Sequence, residues 1–75
     1  MNQARILYII DMRDCEAASR MIGKTVLCSN SLTDISTEHG IIGKFEGIND
    51  RNCSFVVRDA DGKTYYRRFI KEVTK

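Results

Sequence analysis

Hydrophobic and polar residues alternate along this chain in short runs, and clusters of turn-forming residues separate the runs. Runs of about four to eight residues with this alternation are typical of β-strands. They occupy residues 6–10, 24–28, 38–48, 53–58 and 63–70. The pattern predicts one mainly β (α+β) domain over residues 1–75, without internal repeats or linkers.

A helical spacing of apolar residues occurs between residues 12 and 22, and it predicts one short N-terminal helix. Asp11 is the expected N-cap, and Gly23 stands where a helix often ends in a left-handed residue. The apolar residues at helical spacing are Cys15, Ala18, Met21 and Ile22.

Residues 29–36 are rich in Ser, Asn, Thr and Asp, which bond to their own backbone and favour turns. We expect a mobile loop here. It is either a plain connection or a binding loop.

Three glycines, at positions 40, 43 and 47, fall in the longest strand. Glycine inside a strand marks a bulge, a corner or a close backbone approach. Ile41 and Phe45 share one face, whereas Ile48 has the opposite parity, so we expect a bulge near Gly47. The fold prediction is therefore a small bent-sheet barrel of about five strands.

The last two strands are predicted to form a hairpin around Ala60, Asp61 and Gly62. Its turn is either a two-residue Asp-Gly turn or a three-residue loop with Gly62 in the left-handed region. The two registers place Arg67 or Arg68 opposite Phe55.

The first strand, residues 6–10, is apolar on both faces. Either the helix or a second chain must cover one of these faces, because an uncovered apolar edge promotes aggregation. A homodimer is therefore one alternative. Its candidate contacts are Ile6, Tyr8 and Ile10.

The net charge of +2 is unevenly distributed, because residues 51–75 carry seven basic and three acidic side chains. Interleaved cations and aromatics on a strand suit phosphate contact with base stacking. A solvated face is the plainer alternative, and alternation lets only about half of the set point outward. The candidate residues for binding a nucleic acid or another partner are Arg58, Lys63, Tyr65, Tyr66, Arg67, Arg68 and Lys71.

The residues that carry most enzyme and metal chemistry are sparse. Cys15, Cys28 and Cys53 form no Cys-x-x-Cys pair, so we expect reduced thiols that serve as small apolar residues. His39 is the only histidine, and no nucleophile stands in an activating motif beside it. We expect no enzyme, no metal and no cofactor.

No apolar run approaches the ~18 residues of a membrane span, and the N-terminus lacks a signal-type segment. The sequence therefore predicts a cytoplasmic protein without a membrane partner.

Several short motifs together resemble a known group of small barrels. They are Gly23-Lys24 after a short helix, Gly43-x-Phe45-x-Gly47-Ile48 in a bent strand, and Phe55-Val56-Val57-x-Asp59 after a turn. This pattern resembles the Sm-like fold, and it is similar to Src-homology-3 type barrels and the KOW-like modules of transcription and translation factors. The resemblance implies a helix leading into a bent five-stranded sheet.

The resemblance does not extend to the Sm uridine pocket. Asn49, Asn52 and Cys53 stand where the family has an acidic, a hydrophobic and an Asn residue, and Arg67-Arg68 is followed by Phe69 rather than Gly. These departures argue against a ring-forming RNA chaperone.

Two functions remain open from the sequence. The first is a non-enzymatic module that docks on a protein partner, for example a small phage or mobile-element factor acting on a host protein. The alternative is a small RNA- or DNA-binding barrel that uses the basic and aromatic C-terminal strand.

Overall fold

The computed structural model describes residues 9–73, which form a single antiparallel sheet with two short helices. The spatial order of the strands is β1-β6-β2-β3-β4-β5, so the mainly β, bent-sheet prediction is confirmed. The sheet is not closed, and β1 and β5 are its edges. In chain order the elements are β1 (Ile9–Asp11), α1 (Cys15–Ser19), β2 (Thr25–Ser29), α2 (Leu32–Ser36), β3 (Ile41–Asn49), β4 (Ser54–Arg58), β5 (Thr64–Arg67) and β6 (Phe69–Glu72).

The main core lies on the inner face of the bent sheet, where side chains from five strands meet. Phe45 on β3 and Phe55 on β4 are fully buried and pack edge to face, with ring centroids 5.4 Å apart. This is the arrangement that aromatic quadrupoles favour. Helix α1 covers this face with Ala18. The buried members of the core are Ile10, Ala18, Val26, Cys28, Phe45, Phe55, Val57 and Ile70.

Helix α2 lies where the sequence predicted a loop, so that prediction is wrong. Ser31 caps the helix, because its hydroxyl accepts a hydrogen bond from the Asp34 N–H at 3.2 Å. Ile35 is fully buried, and Leu27 of the adjacent β2 is nearly so, yet neither belongs to the main core. A second, smaller apolar cluster therefore covers part of the outer face of the sheet.

The first helix is shorter than predicted, and its cap is different. Asp14 rather than Asp11 is the N-cap, accepting a hydrogen bond from the Ala17 N–H at 3.2 Å. Asp11 instead ends β1, where its carboxylate accepts from the Arg13 N–H at 2.9 Å. The left-handed conformation expected at Gly23 is confirmed, with φ +89°.

The glycine strand is bent at the predicted place. The pairing of β3 with β4 shifts by one residue between Phe45 and Gly47, which confirms the bulge and lets Ile48 pack against the core. Gly43 serves a different purpose, because a Cβ added there would stand 2.5 Å from the Arg58 carbonyl oxygen. Only glycine allows β4 to approach β3 this closely.

The last predicted strand, residues 63–70, is broken at Arg68 into β5 and β6. These two strands are consecutive in the chain, yet β5 is at one edge of the sheet and β6 lies between β1 and β2. A single intervening residue spans only about 7 Å between its neighbours. The sheet must therefore curl until its β5 edge comes close to β6, which is the physical reason for the bend.

The N-terminal strand is covered by its own chain. β1 pairs with β6, and Ile10 lies opposite Ile70 in the main core. Ile10 is therefore not exposed to a second copy, which corrects its assignment as an oligomer contact. Ile6 and Tyr8 lie outside the described residues.

The three cysteines are free thiols, but only Cys28 is buried as the sequence predicted. Burial raises the pKa of the Cys28 thiol to about 11. Cys15 and Cys53 are exposed, and Cys53 has a positive φ of 52° in the turn before β4, so their assignment as apolar core residues is wrong.

Alanine substitutions should separate the two roles of glycine in β3. Gly43→Ala forces a Cβ against the β4 backbone, and we expect a loss of about 2 kcal/mol or more in the free energy of unfolding. Gly47→Ala meets no atom within 4 Å, so only its positive φ of 144° opposes it, at about 1 kcal/mol. Urea unfolding measures both values, and a larger loss for Gly47→Ala would contradict the close approach at Gly43.

Thiol labelling should distinguish the cysteines. At pH 8 an aromatic disulfide reagent should modify Cys15 and Cys53 in the folded protein, because both side chains are exposed. Cys28 should react only after unfolding in urea, since it is buried and its pKa is raised. Mass spectrometry of the labelled peptides reports the order, and early modification of Cys28 would show that the core opens there.

Candidate binding edge on strand β5

The hairpin between β4 and β5 is organised by Asp59. The Asp59 N–H donates to the Lys63 carbonyl at 3.0 Å, and the Gly62 N–H donates to the Asp59 carbonyl at the same distance. Gly62 has φ +85°, so the turn is the three-residue alternative. The Asp59 carboxylate accepts from the N–H groups of Asp61 and Lys63, both at 2.9 Å, which fixes the loop.

Tyr65 is the centre of a small cation–aromatic cluster on the edge strand. Its hydroxyl donates to the Asp59 carboxylate at 3.1 Å. The Arg67 guanidinium carbon lies 5.3 Å from the ring centroid and the Lys63 ammonium 5.7 Å from it. Both distances are within the range of cation–π attraction. We call Lys63, Tyr65 and Arg67 the edge cluster.

Electrostatics couple Asp59 to this cluster. The Lys63 N–H is the main cause of the lowered pKa of Asp59, and the Tyr65 hydroxyl lowers it further. Desolvation is the main cause of the raised pKa of Tyr65, and the hydrogen bond to Asp59 adds to it. At neutral pH Asp59 is therefore an anion whose oxygens are already engaged within the hairpin.

The register shows which backbone groups of β5 face outward. Arg67 lies opposite Phe55 and Tyr65 opposite Val57, and the hairpin bond makes Asp59 and Lys63 a bonded pair. Bonded and non-bonded pairs alternate along an antiparallel ladder. The N–H and C=O groups of Thr64 and Tyr66 therefore point away from β4, toward the free side of the strand.

Arg67 contacts this free side with its own side chain. One guanidinium nitrogen, Nη1, donates to the Tyr66 carbonyl oxygen at 2.8 Å. Both registers considered from the sequence placed an arginine opposite Phe55, and the structure selects Arg67. Its side chain is half-buried and does not simply extend into water.

The other predicted binding residues are distributed over different parts of the surface. Tyr66, 45% exposed, is on the outer face of β5, and Arg58 is on the outer face of β4 in an ion pair with Glu46 at 3.3 Å. Arg68 is exposed between β5 and β6, and its N–H donates to the Asn30 side chain at 3.0 Å. The basic patch is thus narrower than the sequence suggested.

Lys71 does not belong to the exposed patch, which corrects its assignment. Its side chain is only 10% exposed, and its ammonium pairs with the Glu38 carboxylate at 3.1 Å. Lys71 faces away from its buried neighbour Ile70, between Ile9 and Leu27 of the adjacent strands. Removal of the Glu38 carboxylate would leave the buried Lys71 ammonium without a partner, so this ion pair stabilises the fold.

The ion pairs leave some basic side chains of the described chain without a carboxylate partner, among them Lys63 and Arg67 at β5. Within residues 9–73, Arg13, Arg20, Lys24, Arg58 and Lys71 each pair with a carboxylate. No carboxylate of the described chain pairs with Lys63, Arg67 or Arg68, nor with the more distant Lys44 and Arg51. Lys63 and Arg67 therefore remain without an ion pair around the Tyr65 ring, beside the hydrogen-bonded Asp59, whereas Arg68 lines a groove near Asp11.

An open groove lies between β1, α2 and β6. Its lining is mixed and includes the Asp11–Arg13 ion pair and Arg68. The Arg13 N–H is the main cause of the lowered pKa of Asp11. Sequence reasoning missed this groove because α2 was not predicted, although the Ser31-x-x-Asp34 spacing is a helix-capping signal.

The described part of the chain brings together no three metal-binding side chains of His, Cys, Asp or Glu. His39 is exposed, and its Nδ1 is 3.0 Å from the Thr37 hydroxyl. Within the same residues no helix is long and apolar enough to cross a membrane.

Comparison with known proteins gives no match: no protein-family model matches the chain, and no curated protein and no solved structure matches it either. The candidate function therefore has to be argued from the geometry of this chain.

The stabilising role of Asp59 should depend on pH. Its folded-state pKa is lowered, so its contribution is full above the unfolded value of about 3.9 and is lost as the pH falls through the folded value. Asp59→Asn should therefore lower the thermal midpoint at pH 7, and the difference from wild type should shrink progressively as the pH falls below the unfolded value. Thermal unfolding followed by circular dichroism measures this.

Asp61→Asn in the same loop is the matched control. The Asp61 side chain makes no hydrogen bond or ion pair with the described residues, so this substitution should change the midpoint little at either pH. A loss for Asp59→Asn that is as large at pH 2.5 as at pH 7 would contradict a role for the charge.

Proposed function

We propose that this protein is a non-enzymatic module that docks on an acidic segment of a partner protein through the free edge of β5. The observation that carries the proposal is that Lys63 and Arg67, both on this edge strand or at its end, have no carboxylate partner, whereas five other basic residues of the described chain are each paired with one. Complementary charge gives such a surface both attraction and selectivity.

The edge cluster is held in position before any partner arrives. Asp59 fixes the Tyr65 hydroxyl, and the Tyr65 ring in turn attracts the Lys63 and Arg67 head groups. Long cationic side chains lose conformational entropy when they bind. Because part of this cost is already met in the free protein, the cluster favours binding over a freely solvated face.

The geometry supports a protein partner more than a nucleic acid. A stacking platform needs an aromatic face that is open to a base. The Tyr65 ring is flanked by two cations of its own chain, and the exposed Tyr66 lies on the opposite face of β5. The cations and the exposed aromatic ring are therefore on opposite faces of β5. A nucleic acid could contact the few cations through its phosphates, but it could not stack a base beside them.

The architecture also supports the resemblance to small Sm-like and Src-homology-3 type barrels. Helix α1 leads into five strands, β2 to β6, in one bent sheet, and β1 is an addition to that plan. Small barrels host many unrelated functions, so docking is inferred from the edge strand and not from the fold.

Charge removal should weaken binding to an acidic probe. A fluorescein-labelled peptide of alternating Glu and Val is the probe, measured by anisotropy at low and moderate salt. We expect Lys63→Ala and Arg67→Ala each to weaken binding by about threefold to fivefold, and the double variant by roughly tenfold or more. Binding of the wild type should weaken as salt is added.

Arg20→Ala is the matched control, because it removes one positive charge from α1, where Arg20 is exposed and paired with Glu16. It should leave the affinity nearly unchanged. A single-stranded oligonucleotide measured in parallel tests the alternative. Tighter binding of the oligonucleotide than of the peptide, lost in the same two variants, would overturn protein docking in favour of nucleic-acid binding.

A further inference from the structure

We infer that the acidic segment binds as an extended β-strand that pairs with the free edge of β5 and adds a seventh strand to the sheet. This inference rests on the proposed docking function and specifies its mode. Strand addition combines backbone hydrogen bonds for affinity with alternate side chains for selectivity. Three features of the edge carry the inference: its backbone, the position of Arg67 and its charge.

The backbone of β5 offers a short row of hydrogen-bonding groups. Thr64 and Tyr66 direct their N–H and C=O groups away from β4, and both residues are exposed. No other strand among residues 9–73 pairs with β5. An incoming strand can exchange two hydrogen bonds with Tyr66 and two with Thr64, which is the repeating unit of an antiparallel ladder.

In the free protein the Arg67 side chain already forms a hydrogen bond with one of these groups. Its guanidinium donates to the Tyr66 carbonyl at 2.8 Å, in the place where an N–H of an added strand would donate. The incoming N–H replaces this contact, and the released guanidinium then pairs with a carboxylate of the partner. The exchange leaves no acceptor unsatisfied, and the guanidinium gives up a neutral carbonyl acceptor for a carboxylate, with which it forms an ion pair.

The two faces of β5 specify the sequence pattern of the partner. Tyr65 and Arg67 share one face, where the edge cluster favours Glu or Asp. Thr64 and Tyr66 share the other face, beside the half-buried Val56 that lies opposite Tyr66, and this face favours an apolar side chain. Directly opposed side chains interact most strongly across strands. The partner segment should therefore alternate acidic and apolar residues.

The same charges exclude a second copy of β5 as the occupant. Two such edges would bring Lys63 and Arg67 of both chains close together, and like charges across a strand pair are unfavourable. The opposite edge strand, β1, comprises Ile9–Asp11 within the described residues, and its Asp11 already pairs with Arg13. The β5 edge is thus selective for an acidic strand.

N-methylated peptides test the mode of binding independently of protein folding. The parent probe is a blocked heptapeptide of alternating Glu and Val, compared with one variant methylated on every Val amide and one methylated on every Glu amide. In an added strand only one of these sets faces β5. Methylation of that set should weaken binding at least tenfold, whereas methylation of the other set should leave it within about twofold.

In an antiparallel addition the sensitive set is the Val amides, because the residue opposite Tyr66 shares its face and exchanges both hydrogen bonds with it. Sensitivity of the Glu amides alone means a parallel strand and also supports the inference. Equal affinity of all three peptides, or equal loss with both methylated forms, would overturn strand addition.

Amide hydrogen exchange gives the second readout. With the parent peptide bound, the amides of Thr64 and Tyr66 should become protected, whereas those of Tyr65 and Arg67 are already bonded to β4 and should change little. If the peptide binds but the Thr64 and Tyr66 amides gain no protection, strand addition is wrong and the docking proposal still stands. No binding of the parent peptide at low salt, up to about 1 mM, overturns both proposals.

Discussion

The close approach of β3 and β4 at Gly43 is the constraint on which the rest of the structure depends. Because Gly43 has no side chain, the Arg58 carbonyl can lie where a Cβ would otherwise stand, and the bulge at Gly47 then turns the strand. The turn brings Phe45 and Phe55 together at the centre of the core. A core this small has little other apolar material to hold the fold.

The same curvature determines which edge of the sheet stays unpaired. The sheet curls far enough for Arg68 alone to connect β5 with β6, yet it does not close, so β5 keeps one unpaired side. Backbone groups that remain unpaired at an edge must form hydrogen bonds with water, with side chains or with another chain. The Arg67 guanidinium bonds to one of them, the Tyr66 carbonyl, in the free protein. Arg67 therefore both protects the edge and contributes to its charge.

Local patterns in the sequence were sufficient for the strands, the bulge and the hairpin, because these depend on alternation and on glycine. They were insufficient for α2, whose five residues fold against Leu27 through the single buried side chain of Ile35. The break at Arg68 is also a tertiary effect, since residues 63–70 alternate without interruption. Lys71 was predicted to bind a partner, but its ammonium pairs with Glu38, which is 33 positions earlier in the chain. A contact between residues so far apart cannot be read from a local pattern.

The pairing of β1 with β6 has a consequence for biosynthesis. β1 is the earliest of the described strands to leave the ribosome, and its only neighbour in the sheet, β6, is the latest. Contacts between such distant segments form slowly, because a long loop must close first. Ile10 therefore stays without its partner Ile70 until residue 70 has emerged, and a chain that stalls before residue 69 leaves this apolar strand open to chaperones.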